Sequence, residues 1–416
     1  MSAAPPAAGA DVAIVAEHGE VLAHWARLRY CGETVLSFDR HLDLKVLPPV
    51  QLRRIEAAAA DSDALAALDR DLPFRDDDRF AYGLDSWLYP AVHLGLCRRL
   101  IWVVPEPVPV PASALARILW DQLSLLPGHA DEVEATFAAG DLSCRAEVGG
   151  TIVEVTTLLR LSGLAPRESW RVDIDLDFFC DDAGRPTHAA AAVAATLREL
   201  GLAGRLDAVT RSVSSGFLPR ELATLAEELA GRLGRRVTFG PTRIGAANSL
   251  AALAGFVPLD GDRLRVLAAI ELDGLGGPGH GLRALLALRL GDQLQAEASF
   301  DRARELGDRA DWAAYGLGLA RLGERDHAGA RMWFARMVGP LTDPLRLRGL
   351  LAEALCAQRS GAFDDALKLA TVYCELVPLR PEGWRIAGAA ARALGRADQG
   401  RSLDEQAAAR ARLAPE

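Results

Sequence analysis

Val35-Leu36-Ser37-Phe38-Asp39-Arg40-His41-Leu42-Asp43 is the stretch whose reading decides the fold. Val35, Leu36 and Phe38 read as a buried strand, with Gly32 and Glu33 ahead of it. At its carboxyl end stand three metal-capable side chains in the order Asp-x-His-x-Asp. Alternate residues of an extended backbone point to one face, which predicts that Asp39, His41 and Asp43 converge on one side. Two carboxylates and an imidazole brought together repel and desolvate one another unless a cation sits among them. A solvated strand end running into a loop is the competing reading of this stretch by itself.

A second stretch repeats the theme. In Trp170-Arg171-Val172-Asp173-Ile174-Asp175-Leu176-Asp177-Phe178-Phe179, three aspartates fall on one face of an apolar strand and Val, Ile and Leu on the other. Three like charges on one strand face are costly unless a cation is present or one of them is protonated. An oxygen-rich set with a few imidazoles suits manganese, and also iron or zinc.

Working outward, Asp11-Val12-Ala13-Ile14-Val15-Ala16 reads as a buried parallel strand. Glu17-His18-Gly19-Glu20 follows, and Val21, Leu22, Trp25 and Leu28 then recur at helical spacing. His18 therefore sits on a strand-to-helix turn, where a lone histidine is either a capped structural residue or a ligand. Residues 51–71 read as one helix, and Asp76-Asp77-Asp78 as a solvated loop or helix start. In residues 83–95, Asp85 is a helix N-cap or a substrate contact, and His93 a packing residue or a functional one. Further strands are expected over residues 100–104, as a pair over 142–161, and over 206–210 and 235–239. Helices are expected over residues 112–126 and from Pro219 to about Leu233. Ser212 to Gly216 forms a rim loop of hydroxyl and glycine residues. Strands alternating with helices mean an α/β fold with a mainly parallel sheet, whose ligands lie beyond the carboxyl ends of the strands. His18, Asp39-His41-Asp43 and Asp173-Asp175-Asp177 all fall at such ends.

From about residue 260 the pattern changes to continuous Ala-, Leu- and Arg-rich helix. Gly291, Gly323, Gly361 and Gly395 recur at intervals of 32, 38 and 34 residues, with small and large apolar positions repeating after them. A period near 34 is the tetratricopeptide signature; a plain helical bundle is the alternative. Repeats of this kind stack into a curved solenoid, whose concave side commonly holds a peptide. The expected division is a terminal stretch over residues 1–10, an α/β domain over 11–255 and a helical domain over 260–416.

The chain has 416 residues and a net charge of -9, enough length for two or three domains. The acidic balance argues against electrostatic binding to nucleic acid or anionic membrane and is compatible with a cationic substrate. The six cysteines are scattered without CxxC spacing, so a reducing, cytoplasmic compartment is expected. The Ala/Pro-rich residues 1–10 lack the basic and apolar regions of a signal peptide, and no apolar run reaches the length of a membrane span.

These motifs together resemble the arginase/deacetylase superfamily, in which a lone histidine, a DxHxD motif and a DxD motif surround two manganese ions. The finer resemblance, over about residues 11–240, is to the peptide arginases. It is carried by Glu17-His18-Gly19-Glu20, Ser37-Phe38-Asp39-Arg40-His41-Leu42-Asp43-Leu44, Asp85-Ser86-Trp87-Leu88 with Pro90-Ala91, and Asp175-Leu176-Asp177-Phe178-Phe179. The resemblance implies a three-layer α/β/α sheet followed by tetratricopeptide-like repeats. It implies two Mn2+ held by His18, Asp39, His41, Asp43, Asp175 and Asp177, with Asp173 deeper; the alternative second-strand pair is Asp173 with Asp175. The implied activity is hydrolysis of arginine side chains to ornithine and urea in a ribosomally made precursor peptide. Asp43 would hold a proton, Asp85 would orient the guanidinium, and Glu17, Trp87, Ser212 and Gly216 are further candidate substrate contacts. Arginases carry a proton-shuttling histidine soon after DxHxD; here the nearest downstream histidine is His93. The rival expectations are a metal-dependent amidohydrolase or deacetylase and a non-catalytic repeat scaffold.

Overall fold

The computed structural model describes residues 11–70, 78–106, 110–164, 170–181, 184–213, 215, 217–240 and 276–415. The chain divides into two compact units. The first takes in the described residues within 1–73, 79–119 and 135–258, and the second those within 74–78, 120–134 and 259–416.

Among the described residues the first unit contains a nine-stranded sheet. Its strands in chain order are β1 (Val12–Val15), β2 (Glu33–Phe38), β3 (Cys97–Val104), β4 (Ala138–Ala139), β5 (Cys144–Val148), β6 (Thr151–Thr157), β7 (Trp170–Asp175), β8 (Leu206–Thr210) and β9 (Val237–Phe239). They lie in the order β4-β5-β6-β3-β2-β7-β8-β1-β9. Pairings are parallel from β6 through to β9, and only β4-β5 and β5-β6 are antiparallel. β1 and β7 are buried along their whole length; β1 reads as a continuous apolar run, while β7 alternates aspartates with Val and Ile. The antiparallel hairpin β5-β6 turns at Gly149 and Gly150, where the paired strands over residues 142–161 were expected.

One core cluster packs Ile14, Leu36, Phe38, Ile101, Val103, Val172, Ile174 and Val209 of the sheet against Val193, Leu197, Ala226 and Leu229 of helices Ala190–Glu199 and Leu225–Arg232. This packing fixes the strand ends that carry the charged motifs. The expected single helix over residues 51–71 is two, Pro49–Ala58 and Ser62–Ala66, because Asp61 accepts from the backbone N–H groups of Asp63 and Ala64 and caps a new start. The helix expected from Pro219 begins only at Leu225, after a short 3-10 turn over Arg220–Leu222.

The second unit is helical, with Gly277–Arg289, Gln293–Glu305, Asp311–Gly323, His327–Ala335, Pro344–Arg359, Phe363–Leu376, Pro381–Ala393 and Ala397–Leu413. The repeat is sharper in the backbone than in the glycines. Left-handed residues follow helix ends at Gly291, Arg325, Gly361 and Gly395, spaced 34, 36 and 34 residues apart. Arg325 takes the turn that Gly323 was expected to mark, and this accounts for the uneven glycine intervals. Residues 120–134 group with this unit, although the sequence pattern assigned them to the α/β domain. Leu125 packs on Leu347, Leu350, Tyr373 and Val377, and Arg380 donates to Asp121 at 2.8 Å. All six cysteines are free thiols, five of them buried. No helix among the described residues is long and apolar enough to cross a membrane.

Candidate metal centre

The charged motifs meet at the carboxyl ends of neighbouring parallel strands. β1 supplies His18, β2 supplies Asp39, His41 and Asp43, and β7 supplies Asp173, Asp175 and Asp177; Ser212 follows β8. Two overlapping groups result. The ligand atoms of His18, Asp39 and Asp175 lie within 4.8 Å of one another, and so do those of Asp39, His41 and Asp177. Asp39 belongs to both.

The convergence is not made by strand alternation. β2 ends at Phe38 and β7 at Asp175, so only Asp173 and Asp175 remain on the strand. Ligand atoms that must come within 4.8 Å are poorly served by an extended backbone, where alternate residues step by roughly 6.5 Å. The chain curls instead. Asp177 sits in a 3-10 turn, Leu176–Phe179, and its N–H donates to Asp175 Oδ1 at 3.1 Å. The His41 N–H donates to Asp39 Oδ1 at 2.8 Å. Asp43 adopts a left-handed backbone with φ of 51°, and Ser212 one with φ of 48°. Non-glycine residues rarely adopt this conformation, and such strain collects at functional sites.

His18 is the hub. Its Nδ1 lies 3.1 Å from Asp39 Oδ2, 3.0 Å from Asp43 Oδ2 and 3.3 Å from Asp175 Oδ2. Its Nε2 lies 2.9 Å from Asp173 Oδ2. The Trp87 ring packs on the imidazole with centroids 4.6 Å apart, and Trp87 Nε1 donates to Asp43 Oδ2. Gly19, next in the chain, lets Asp69 approach closely, because a Cβ there would meet Asp69 Oδ1 at 2.2 Å. On the other side, His41 Nδ1 lies 2.8 Å from Asp177 Oδ2, and Phe217 packs on its ring. Arg40 holds Asp177 through its own N–H to Oδ1 and its guanidinium to the backbone carbonyl. Ser212 Oγ donates to Asp175 Oδ2 at 2.7 Å.

Without a cation, protons must carry the balance. Burial, followed by the charges of Asp177 and Asp43, pushes Asp39 up to about 8. Burial and the charge of Asp177 likewise raise Asp175 well above the carboxylate range. For His18 burial works downward, but the Asp39 charge and bonds to Asp173, Asp39 and Asp43 outweigh it and raise the imidazole well above its usual value. His41 rises to about 9, since the bond and charge of Asp177 overcome burial. Asp177 is held low despite burial by His41 and Arg40. Buried acids that hold protons where a divalent charge would relieve them are the chemistry of a metal site. The donor set, carboxylate oxygens and one imidazole in each group, fits Mn2+ and also Fe2+ or Zn2+.

The remaining candidates divide. Trp87 is buried against His18 and Asp43 and supports both. Glu17 Oε1 accepts from the Ser215 N–H at 2.8 Å and ties the end of β1 to the loop after β8. Ser212 is engaged with Asp175. Asp85 is not a helix N-cap, since helix Leu88–His93 begins after Trp87. Its Oδ2 accepts from Lys45 Nζ at 2.7 Å. Burial would raise this acid, yet Lys45 and Arg70 bring it down to about 2. Its Oδ1 is buried without a hydrogen-bond partner among the described residues. His93, named as a catalytic candidate, is a correction. It is exposed, pairs with Glu56 at 2.7 Å, and stands just before β3 begins, at the amino edge of the sheet and opposite the cluster. Gly216 lies outside the described residues. The pairing of Asp173 with His18, the hold of Arg40 on Asp177 and the Lys45–Asp85 pair were not foreseen, because each joins side chains far apart in the chain or with no motif of their own.

Comparison with models of known protein families gives no match, and comparison with curated proteins gives none either.

Proposed function

We propose that the chain is a dinuclear metallohydrolase of arginase-like fold that converts peptidyl-arginine to peptidyl-ornithine and urea, with a precursor peptide as substrate. The observation that carries the reading is the pair of His/Asp groups sharing Asp39 at the carboxyl edge of a parallel sheet. A shared carboxylate favours two cations over the single one of a deacetylase-like site. His18, Asp39 and Asp175 would hold one Mn2+, and Asp39, His41 and Asp177 the other, with Asp43 beside the first. When bound, two such cations supply a water that loses its proton near neutral pH and can attack the guanidinium carbon.

The chain's own residues do the rest. Asp43 Oδ2 is fixed by Trp87 and His18, which leaves Oδ1 to hold the proton given up by the attacking water. Asp85 is the carboxylate proposed to receive the substrate guanidinium, whose planar donors match it. Lys45 keeps Asp85 ionised, and the partly exposed position of both suits an incoming cationic side chain. Trp87 packs on the buried His18 imidazole and Phe217 on the partly exposed His41 imidazole. The helix pairs of the second unit are read as tetratricopeptide-type repeats that take up the peptide, since their left-handed landmarks recur at close to the period of that repeat.

The test is urea release by the Mn2+-loaded protein. Release from arginine-containing peptides, with little from free arginine, supports the reading. Release from free arginine alone overturns the peptide assignment, and hydrolysis of an acetyl-lysine peptide without urea overturns the guanidine chemistry.

A further inference from the structure

We infer that Asp173 is a positioning residue for His18: it fixes the imidazole as the Nε2–H form and so presents Nδ1 as the metal donor. The inference rests on the metal-site reading above but not on the guanidine chemistry. Asp173 is fully buried in β7 between Val172 and Ile174, both also fully buried. A carboxylate gains nothing from that strand core, where an apolar residue would pack without desolvation cost. Asp173 Oδ2 meets His18 Nε2 at 2.9 Å, and its Oδ1 has no hydrogen-bond partner among the described residues. It lies outside both metal-capable groups.

The two sides of the His18 ring are unequal. Asp173 stands alone on Nε2, while Asp39, Asp43 and Asp175 crowd Nδ1 at 3.0 to 3.3 Å. A carboxylate can only accept, so the nitrogen facing Asp173 carries the hydrogen. In a neutral ring the lone pair is then on Nδ1, aimed among three carboxylate oxygens. A divalent cation at that point would take the lone pair and offset the three anions. Trp87, packed on the ring face, holds the ring plane while Asp173 sets which nitrogen faces inward. Carboxylates in this role orient a ligating histidine and increase its basicity.

The test uses the full chain and a metal titration, so that it does not depend on turnover. Nitrogen NMR of the Zn2+-loaded wild type is expected to show His18 metal-bound at Nδ1 with the hydrogen on Nε2; the His18→Gln variant identifies the signals. Asp173→Asn and Asp173→Leu are expected to weaken Mn2+ binding about 10- to 100-fold with far-ultraviolet circular dichroism unchanged. Asp173→Glu should recover part of the affinity if its carboxylate reaches Nε2. Ligation through Nε2, or wild-type Mn2+ affinity in both Asp173→Asn and Asp173→Leu, overturns the inference. If the variants misfold, the wild-type NMR signature decides alone. A wild type that binds Mn2+ but releases no urea removes the proposed activity and leaves this inference standing. A wild type that binds no divalent cation removes both.

Discussion

Trp87 Nε1 donates to Asp43 Oδ2 at 3.2 Å, and the same oxygen stands 3.0 Å from His18 Nδ1. One indole thus holds the carboxylate that the proposed chemistry uses and packs on the imidazole beside it. Trp87→Phe keeps a ring against His18 and removes only the donor. A lost hydrogen bond to a charged group is worth about 1.5 to 3 kcal/mol, so turnover should fall about tenfold or more while the fold persists. Unchanged kcat in a folded Trp87→Phe protein would contradict the role given to this contact.

Asp39 belongs to both metal-capable groups, whereas His41 belongs to one. Asp39→Ala should therefore remove both ions and all activity, and His41→Ala should remove one. The helices of the second unit should remain folded in both variants, as read by circular dichroism. An Asp39→Ala protein that still binds one ion tightly would refute the shared-ligand arrangement.

The metal-free cluster sets a pH dependence whose sign is fixed. Asp39 at about 8 and His41 at about 9 are both raised in the folded protein. A raised group contributes stability that is present below its unfolded value and lost as pH rises through its folded value. The Tm of chelator-treated protein should thus fall from about pH 4, where Asp39 begins to lose its contribution, to about pH 9. Asp39→Asn should flatten the slope, and Mn2+ should abolish it. A metal-free Tm that rises across this window in the wild type and not in the variant would contradict the assignment.

Asp85 is held at about 2 by Lys45 and Arg70, so it stays ionised throughout the neutral range. Asp85→Asn removes the charge but keeps the shape. It should raise KM for an arginine peptide about tenfold or more with a smaller effect on kcat, as expected of a group that binds the guanidinium in ground and transition states alike. An unaltered KM would move guanidinium recognition elsewhere.

Most of the sheet and the identity of the cluster could be read from residue order. Val12–Val15 is an apolar run, and in Trp170–Asp175 the aspartates alternating with Val172 and Ile174 stand out against the apolar face. What could not be read were features made by turns and tertiary contacts. The left-handed Asp43 and the 3-10 turn at Asp177 bring the ligands together, and neither residue type demands that conformation. His93 stood open as a packing residue or a functional one, because sequence does not say which edge of a sheet a loop serves. Residues 120–134 carry an ordinary amphipathic pattern, and contacts such as Leu125 on Tyr373 and Val377 and Arg380 with Asp121 reveal which core takes them. Gly323 matched the repeat by composition, while the backbone placed the turn at Arg325.

The central claim is that His18, Asp39, His41, Asp175 and Asp177 form a two-cation centre. Metal content measured by plasma mass spectrometry on Mn2+-loaded, gel-filtered protein addresses it most directly. One ion for each of the two groups, and none in Asp39→Ala, is the predicted result. A folded wild-type protein that retains no divalent cation, or only one, would contradict it.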